Sequence, residues 1–191
     1  MGREAGRPLR ADAQRNRDKI LAAAVRMFTE QGLDAHFEHI AREAGVGTGT
    51  LYRNFPTREA LIEAAYRNEV ARLCDAVPDL LATLPPRDAL RAWMRRFIDY
   101  ATAKLGMAEA LRAVVASGGD PYADSREMIQ GALSSLLEAG VTAGVIRSDL
   151  RPADLFAALA GIALTSARPE QREQAERLLD LLLDGLTHGT R

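Results

Sequence analysis

The stretch Phe37–Phe55, FEHIAREAGVGTGTLYRNF, decides how the chain folds. It reads as two short helices joined by a tight turn. Phe37, Ile40, Ala41 and Ala44 recur at i, i+3, i+4 and i+7, the spacing that gathers apolar groups into one stripe on a helix. Gly45 stands just past the last of them, where a residue without Cβ takes the left-handed conformation that closes a helix C-terminus. Val46 follows as the apolar plug of the turn. Thr48 or Thr50 is placed to cap the second helix, since a hydroxyl there accepts from the free N–H groups of the first turn. In that helix Leu51 and Phe55, four apart, face inward. Thr48, Gly49, Thr50, Tyr52, Arg53 and Asn54 are left to face out.

The outward set has the chemistry to read a DNA groove. Threonine donates or accepts at base edges and phosphates and offers a methyl to thymine, arginine reaches phosphate or guanine, and asparagine matches adenine. A hairpin that packs only against its own protein shares the bare spacing, so the longer string carries the weight. AREAGVGTGTLYRNFPTREALIEA resembles the DNA-binding segment of the TetR family of bacterial transcriptional regulators. The Ala-Gly-Val turn, the Gly-Thr-Leu-Tyr-x-x-Phe recognition helix and the basic-led Glu-Ala-Leu start of the next helix are all present. The resemblance runs from Arg15 to Ala71. It departs at Asn54, where many relatives carry histidine.

Composition sets the outer limits. In 191 residues with 47% hydrophobic side chains there is enough material for a core, in one large domain or two small ones. A net charge of −1 argues against a general nucleic-acid coat but not against a specific reader, for which only the location of positive charge matters. Residues 1–19 carry Arg3, Arg7, Arg10, Arg15, Arg17 and Lys19 against Glu4, Asp12 and Asp18. The single cysteine, Cys74, excludes an internal disulfide and fits a reducing interior. No apolar run approaches the ~20 residues of a membrane span and the N-terminus has no secretory core, so no membrane partner and a cytoplasmic location are expected.

Residues 1–13, rich in Gly, Arg and Pro, read as a flexible basic arm whose Arg7 or Arg10 could order on DNA. From Gln14 to Gln31, Ile20, Ala24, Met27 and Phe28 mark a support helix ended by Gly32, with Leu33 as an apolar partner beyond the cap. His36, His39 and Glu43, at i, i+3 and i+7, are the nearest approach to a metal cluster, and a polar face or a histidine near phosphate fits them better; no metal or cofactor is expected. After Phe55, Thr57 is a candidate N-cap and Glu59 sits where the helix dipole favours an acid. This helix runs through Leu61, Ile62, Ala65, Tyr66, Val70 and Leu73 toward Pro78. Everything beyond is helical in pattern, with no alternating strand, which makes an antiparallel bundle the economical fold.

The helix Pro152–Ala167 is too apolar for a surface and too short for a membrane, and Glu170–His188 carries a wide apolar band, so a partner surface is their natural sink, with completion of the monomer core as the alternative. The resemblance implies that they pair with those of a second subunit through Leu155, Leu159, Ile162, Leu178, Leu182 and Leu186. It also implies a DNA-binding head over residues 14–73, a ligand-binding and dimerisation domain over 74–191, and phosphate contacts from Arg15 or Arg17, with Arg58 steering. A homodimer of this kind reads a palindromic operator as a repressor, and a small-molecule inducer entering the bundle near Trp93, Met94, Phe97, Tyr100, Met107, Leu111, Met128 and Phe156 releases it. An enzyme is disfavoured because no phosphate loop, zinc signature or nucleophile elbow is present. A helical adaptor that binds protein rather than DNA is the alternative.

Overall fold

The computed structural model describes residues 6–166 and 169–187, with side chains from residue 12. Among the described residues there are helices and turns and no strand, as the periodicity predicts. The chain divides into two compact units, one formed by residues up to Asn68 with Gly106–Pro121, the other by Glu69–Leu105 with the segment from Tyr122 onward. A single boundary after residue 73 misses this interleaving.

The first unit contains α1 (Gly6–Gln31), a 3-10 turn at Gly32–Asp34, α2 (Phe37–Ala44), α3 (Thr48–Asn54), the start of α4 (Arg58–Thr83) and α6 (Ala108–Ala116). Ile20, Ala24, Phe28, Ile40, Leu51, Leu61 and Ile62 are fully buried, the large ones contributing about 1.5–3 kcal/mol each. Helix α1 starts at Gly6 rather than Gln14, so residues 6–13 are helical and not a flexible arm. Pro8 does not prevent this, because the N–H groups of a first turn have no intrahelical partner to lose. The side chains of Arg7 and Arg10 lie outside those described, as do residues 1–5. Leu33 is exposed at 37%, and Ala35 is the buried residue beyond the cap instead. At Gly106 a Cβ would fall against the Thr29 side chain and 3.2 Å from its Cα, so α1 accepts only glycine there.

The turn between α2 and α3 closes as the sequence predicts. Gly45 is left-handed at φ 66°, its N–H donates to the carbonyl of Arg42, and that of Val46 donates to Ala41 at 3.0 Å. These two bonds satisfy carbonyls that the helix end would leave open. Because an added Cβ would meet nothing within 4 Å, Gly45→Ala isolates the backbone term. It is expected to lower stability by about 1–2 kcal/mol, read from urea midpoints.

The second unit contains the rest of α4, α5 (Pro86–Gly106), α7 (Ser125–Thr142), α8 (Pro152–Thr165), a 3-10 turn at Pro169–Gln171 and α9 (Arg172–Thr187). Helix α4 does not stop at Pro78. The proline is on an exposed face, and the helix continues past it with one i to i−4 bond fewer. Helices α5 and α9 are joined by a ladder of ion pairs, each rung four residues from the next: Arg87–Asp184 (2.8 Å), Arg91–Asp180 (2.7 Å), Arg95–Glu176 (2.9 Å) and Asp99–Arg172 (3.2 Å). The hydrogen bond from Arg91 holds the Asp180 carboxyl below its ordinary range. The rungs are exposed or half-exposed and individually weak. Together they set register: a slip of four residues puts Asp99 against Glu176 in one direction and Arg95 against Arg172 in the other.

Cys74 is half-buried, and burial, reinforced by the charge of Asp75, raises its pKa from 9.0 to about 11. A raised acid pKa stabilises the fold fully below the unfolded value and ceases to as pH climbs from 9.0 to about 11. Alkylation by iodoacetamide at pH 8 is therefore expected to run about tenfold or more slower in the folded protein than in urea, followed by mass spectrometry.

Candidate nucleic-acid interface

The inward set predicted for the helical hairpin is buried: Phe37, Ile40, Ala41, Ala44, Leu51 and Phe55 all lie below 8% exposure. Packing on that side fixes the opposite flank of α3. Gly49, Tyr52, Arg53 and Asn54 are exposed there, and Thr48 and Thr50 partly so. Neither threonine caps the helix. Gly47 occupies the N-cap without a side-chain bond, and the Thr50 hydroxyl accepts from Arg53 Nη2 at 3.2 Å. With no side chain at the N-cap, the Gly47 carbonyl still closes the first turn, accepting from the Thr50 N–H at 2.8 Å.

Two groups on this flank are folded back along their own helix. Arg53 Nε donates to the Gly49 carbonyl at 3.2 Å and Asn54 Nδ2 to the Thr50 carbonyl at 2.8 Å. Both bonds are exposed, so exchanging them for a base or phosphate costs only about 0.5–1.5 kcal/mol each. Tyr52 is 46% exposed, its ring 5.0 Å from that of Phe37, which steadies the ring. Arg17 of α1 lies with its guanidinium 4.6 Å from the Phe55 ring centroid, so the support helix brings a cation to the end of α3. Arg15 is exposed and pairs with Asp12. Arg58 is half-exposed and clamps the turn after α1, donating to the Leu33 carbonyl at 2.6 Å. That is a structural task the sequence did not reveal. His36, Phe37, Glu38, Tyr52, Pro56 and Arg58 line a groove of about 360 Å³ beside α3.

Thr57 caps α4 as expected, accepting from the Ala60 N–H at 3.1 Å. His36 and His39 are edge to face at 5.8 Å, but Glu43 pairs with Arg26 at 3.0 Å rather than turning toward them. Among the described residues no three His, Cys, Asp or Glu side chains gather as a metal site.

A short buried-stripe helix, a left-handed glycine turn and a second helix with a polar exposed flank form a helix-turn-helix, and family comparison agrees along both parts of the chain. The family profile described as "Bacterial regulatory proteins, tetR family" matches residues 20–65, and that described as "Transcriptional regulator SbtR-like, C-terminal domain" matches residues 85–188. The chain belongs to the TetR family. It carries that family's helix-turn-helix DNA-binding head on an all-helical body.

Among solved TetR structures, the chain is similar to the TetR transcriptional regulator SCO0520 from Streptomyces coelicolor, with 79% identity over 91% of this chain and 99% of that one and a TM-score of 0.89. It is also similar to a TetR transcription regulatory protein from Mycobacterium vanbaalenii, with 36% identity over 95% and 100% of the two chains and a TM-score of 0.78. The HTH-type transcriptional regulator SAR0097 from Staphylococcus aureus (strain MRSA252) is 31% identical over 99 residues, 49% of this chain and 51% of the relative, so the chain spans about half of that curated protein.

The remaining residues expected from TetR likeness are placed as follows. Trp93, Met94, Phe97 and Tyr100 are buried in the second unit, with Phe97 centred 5.8 Å from each of the Trp93, Tyr100 and Phe156 rings. Met107 and Leu111 are buried in the first unit, and Met128 is 41% exposed, so the expected effector residues do not form one cluster within one unit. Of the six expected dimer residues, Leu155, Leu159 and Leu186 are instead buried in their own chain, while Ile162, Leu178 and Leu182 are half-buried. On α8 and α9 the large apolar side chains left exposed among the described residues are Leu164 at 67% and Leu181 at 70%. A helix apolar on all sides, as α8 is, does not declare which stripe faces its own bundle. No described helix is long and apolar enough to cross a membrane.

Proposed function

We propose that the chain represses transcription as a homodimer on a palindromic DNA operator, and that a small-molecule effector binding its C-terminal part releases it. The observation that carries the reading is the flank of α3: Gly49, Tyr52, Arg53 and Asn54 exposed side by side on a helix whose other side is locked into the head. Flexible donors on a rigid helix suit direct readout, and Arg15, Arg17 and Arg58 supply charge around it. The dimer reading rests on Leu164 and Leu181 with the small exposed Ala157, Gly161 and Gly185 on the same two helices, a surface on which a second copy can approach closely. Such a pair presents two copies of α3 about 34–36 Å apart, the separation of successive major grooves on one face. This reading places the protein's work in the cytoplasm.

Selection of bound fragments from the source genome tests the proposal directly, because a two-fold reader recovers a palindrome and a protein without specificity recovers none. Once an operator is in hand, Tyr52→Ala is expected to weaken it about tenfold, the scale of one hydrogen bond to a charged group, with the thermal midpoint unchanged. Fluorescence anisotropy measures this, and unchanged affinity removes Tyr52 from the interface. Affinity should also fall with salt at a logarithmic slope of about −0.9 per phosphate neutralised.

A further inference from the structure

We propose that the groove between α4 and α5 in the second unit binds a small organic anion, a carboxylate or phosphate attached to a flat apolar body. The proposal rests on the effector reading above and gives it a site and a ligand class. The groove has a volume of about 370 Å³ and is lined by Glu69, Arg72 and Leu73 from α4 and by Arg96, Asp99 and Tyr100 from α5. Each trio is spaced i, i+3, i+4, so each helix presents a single face to it. The volume suits a one-ring molecule. Leu73 and Tyr100, 4% and 7% exposed, give it an apolar floor.

The charge around that floor selects the ligand. Arg87, Arg91 and Arg95 are all engaged by carboxylates of α9, whereas Arg96 is exposed and has no ion pair or hydrogen bond among the described residues. Both acids of the groove already hold a cation: Glu69 pairs with Arg72 at 3.3 Å and Asp99 with Arg172 at 3.2 Å. The excess charge is therefore a guanidinium. A cationic ligand meets Arg96, a neutral one strips its water without return, and an anion pairs with it through forked hydrogen bonds, with Arg72, held by Glu69, beside it.

Both arginines line the one groove. Trp93 Nε1 donates to the Leu73 carbonyl at 2.9 Å, which fastens α5 to α4 beside it. The same hydrogen bond ties the groove floor to Trp93, the only tryptophan, which makes occupancy visible as fluorescence. Asp99 is also the last rung of the ladder to α9, so an anion that draws on Arg172 or repels Asp99 acts on the helix that carries Leu181.

The test titrates the full chain at constant ionic strength with benzoate, phenyl phosphate, inorganic phosphate and benzylamine, followed by Trp93 fluorescence and calorimetry. Benzoate or phenyl phosphate is expected to bind with a dissociation constant of about 1 mM or tighter, and benzylamine not at all. The stronger of the two anions tells whether the natural ligand is a carboxylate or a phosphate. Arg96→Gln should weaken that binding about tenfold while leaving the thermal midpoint in place, and Arg112→Gln, exposed in the other unit, should not. No response up to about 10 mM, preference for benzylamine, or equal binding by Arg96→Gln overturns the site. Operator affinity is read separately: an anion that binds without changing it keeps the site and removes it from regulation, whereas release by some other compound with the groove silent keeps the regulation and overturns the site.

Discussion

Leu181→Asp is expected to convert the protein to a folded monomer that has lost its operator. Leu181 is 70% exposed in the single chain, so an aspartate there is solvated and leaves the fold of each subunit as it is. In a two-fold interface the same substitution appears twice, and each buried unpaired carboxylate costs several kcal/mol. Sedimentation should give one chain's mass where the parent gives two. Operator affinity should fall by about 100-fold or more, because the second α3 no longer binds at the effective concentration its partner provided. Helical content by circular dichroism should match the parent after allowance for concentration-dependent stability. A variant that stays dimeric, with its affinity intact, moves the interface away from α8 and α9. Leu183→Asp, two positions on but only 1% exposed, serves as the contrast: it should fail to fold.

That contrast shows what the sequence could and could not tell. The hairpin was legible because its inward residues are few, separated by polar ones and closed by a glycine whose φ leaves little choice: Phe37, Ile40, Ala41, Ala44, Leu51 and Phe55 are all buried, and Gly45 is left-handed. In α8 the apolar residues run all round the helix, so periodicity did not separate Leu155 and Leu159, which face their own bundle, from Leu164, which faces out. Only packing decides between them. The ladder between α5 and α9 was written in the sequence as arginines at 87, 91 and 95 and acids at 176, 180 and 184, each four apart, but a four-residue charge repeat on one helix does not name its partner. Local bonds hid the rest. Arg58, placed for DNA steering, holds the Leu33 carbonyl, and Asn54, placed at a base edge, holds a carbonyl of its own helix.

Trp93→Ala should be the most destabilising single truncation in the second unit. The indole is fully buried, tilted at 32° against the Phe97 ring, and its N–H is spent on the Leu73 carbonyl. Removing it deletes the largest apolar side chain of the core and leaves a cavity that helices on both sides cannot wholly close, for an expected loss of about 3–5 kcal/mol. In a chain of this size that corresponds to a fall of about 10 °C in the thermal midpoint. Because the fluorophore goes with it, the change has to be followed by circular dichroism in urea at fixed protein concentration. Trp93→Phe separates the two contributions: a ring remains to fill most of the space, and the loss should shrink to about 1–3 kcal/mol, the cost of the missing hydrogen bond and a smaller void. A loss below about 1 kcal/mol for Trp93→Ala would mean that the site collapses freely, and that the indole is not what holds α4 against α5. The Trp93→Phe protein also reports on the groove beside it: if Leu73 is positioned by the indole, that variant should bind benzoate more weakly than the parent even with both arginines in place.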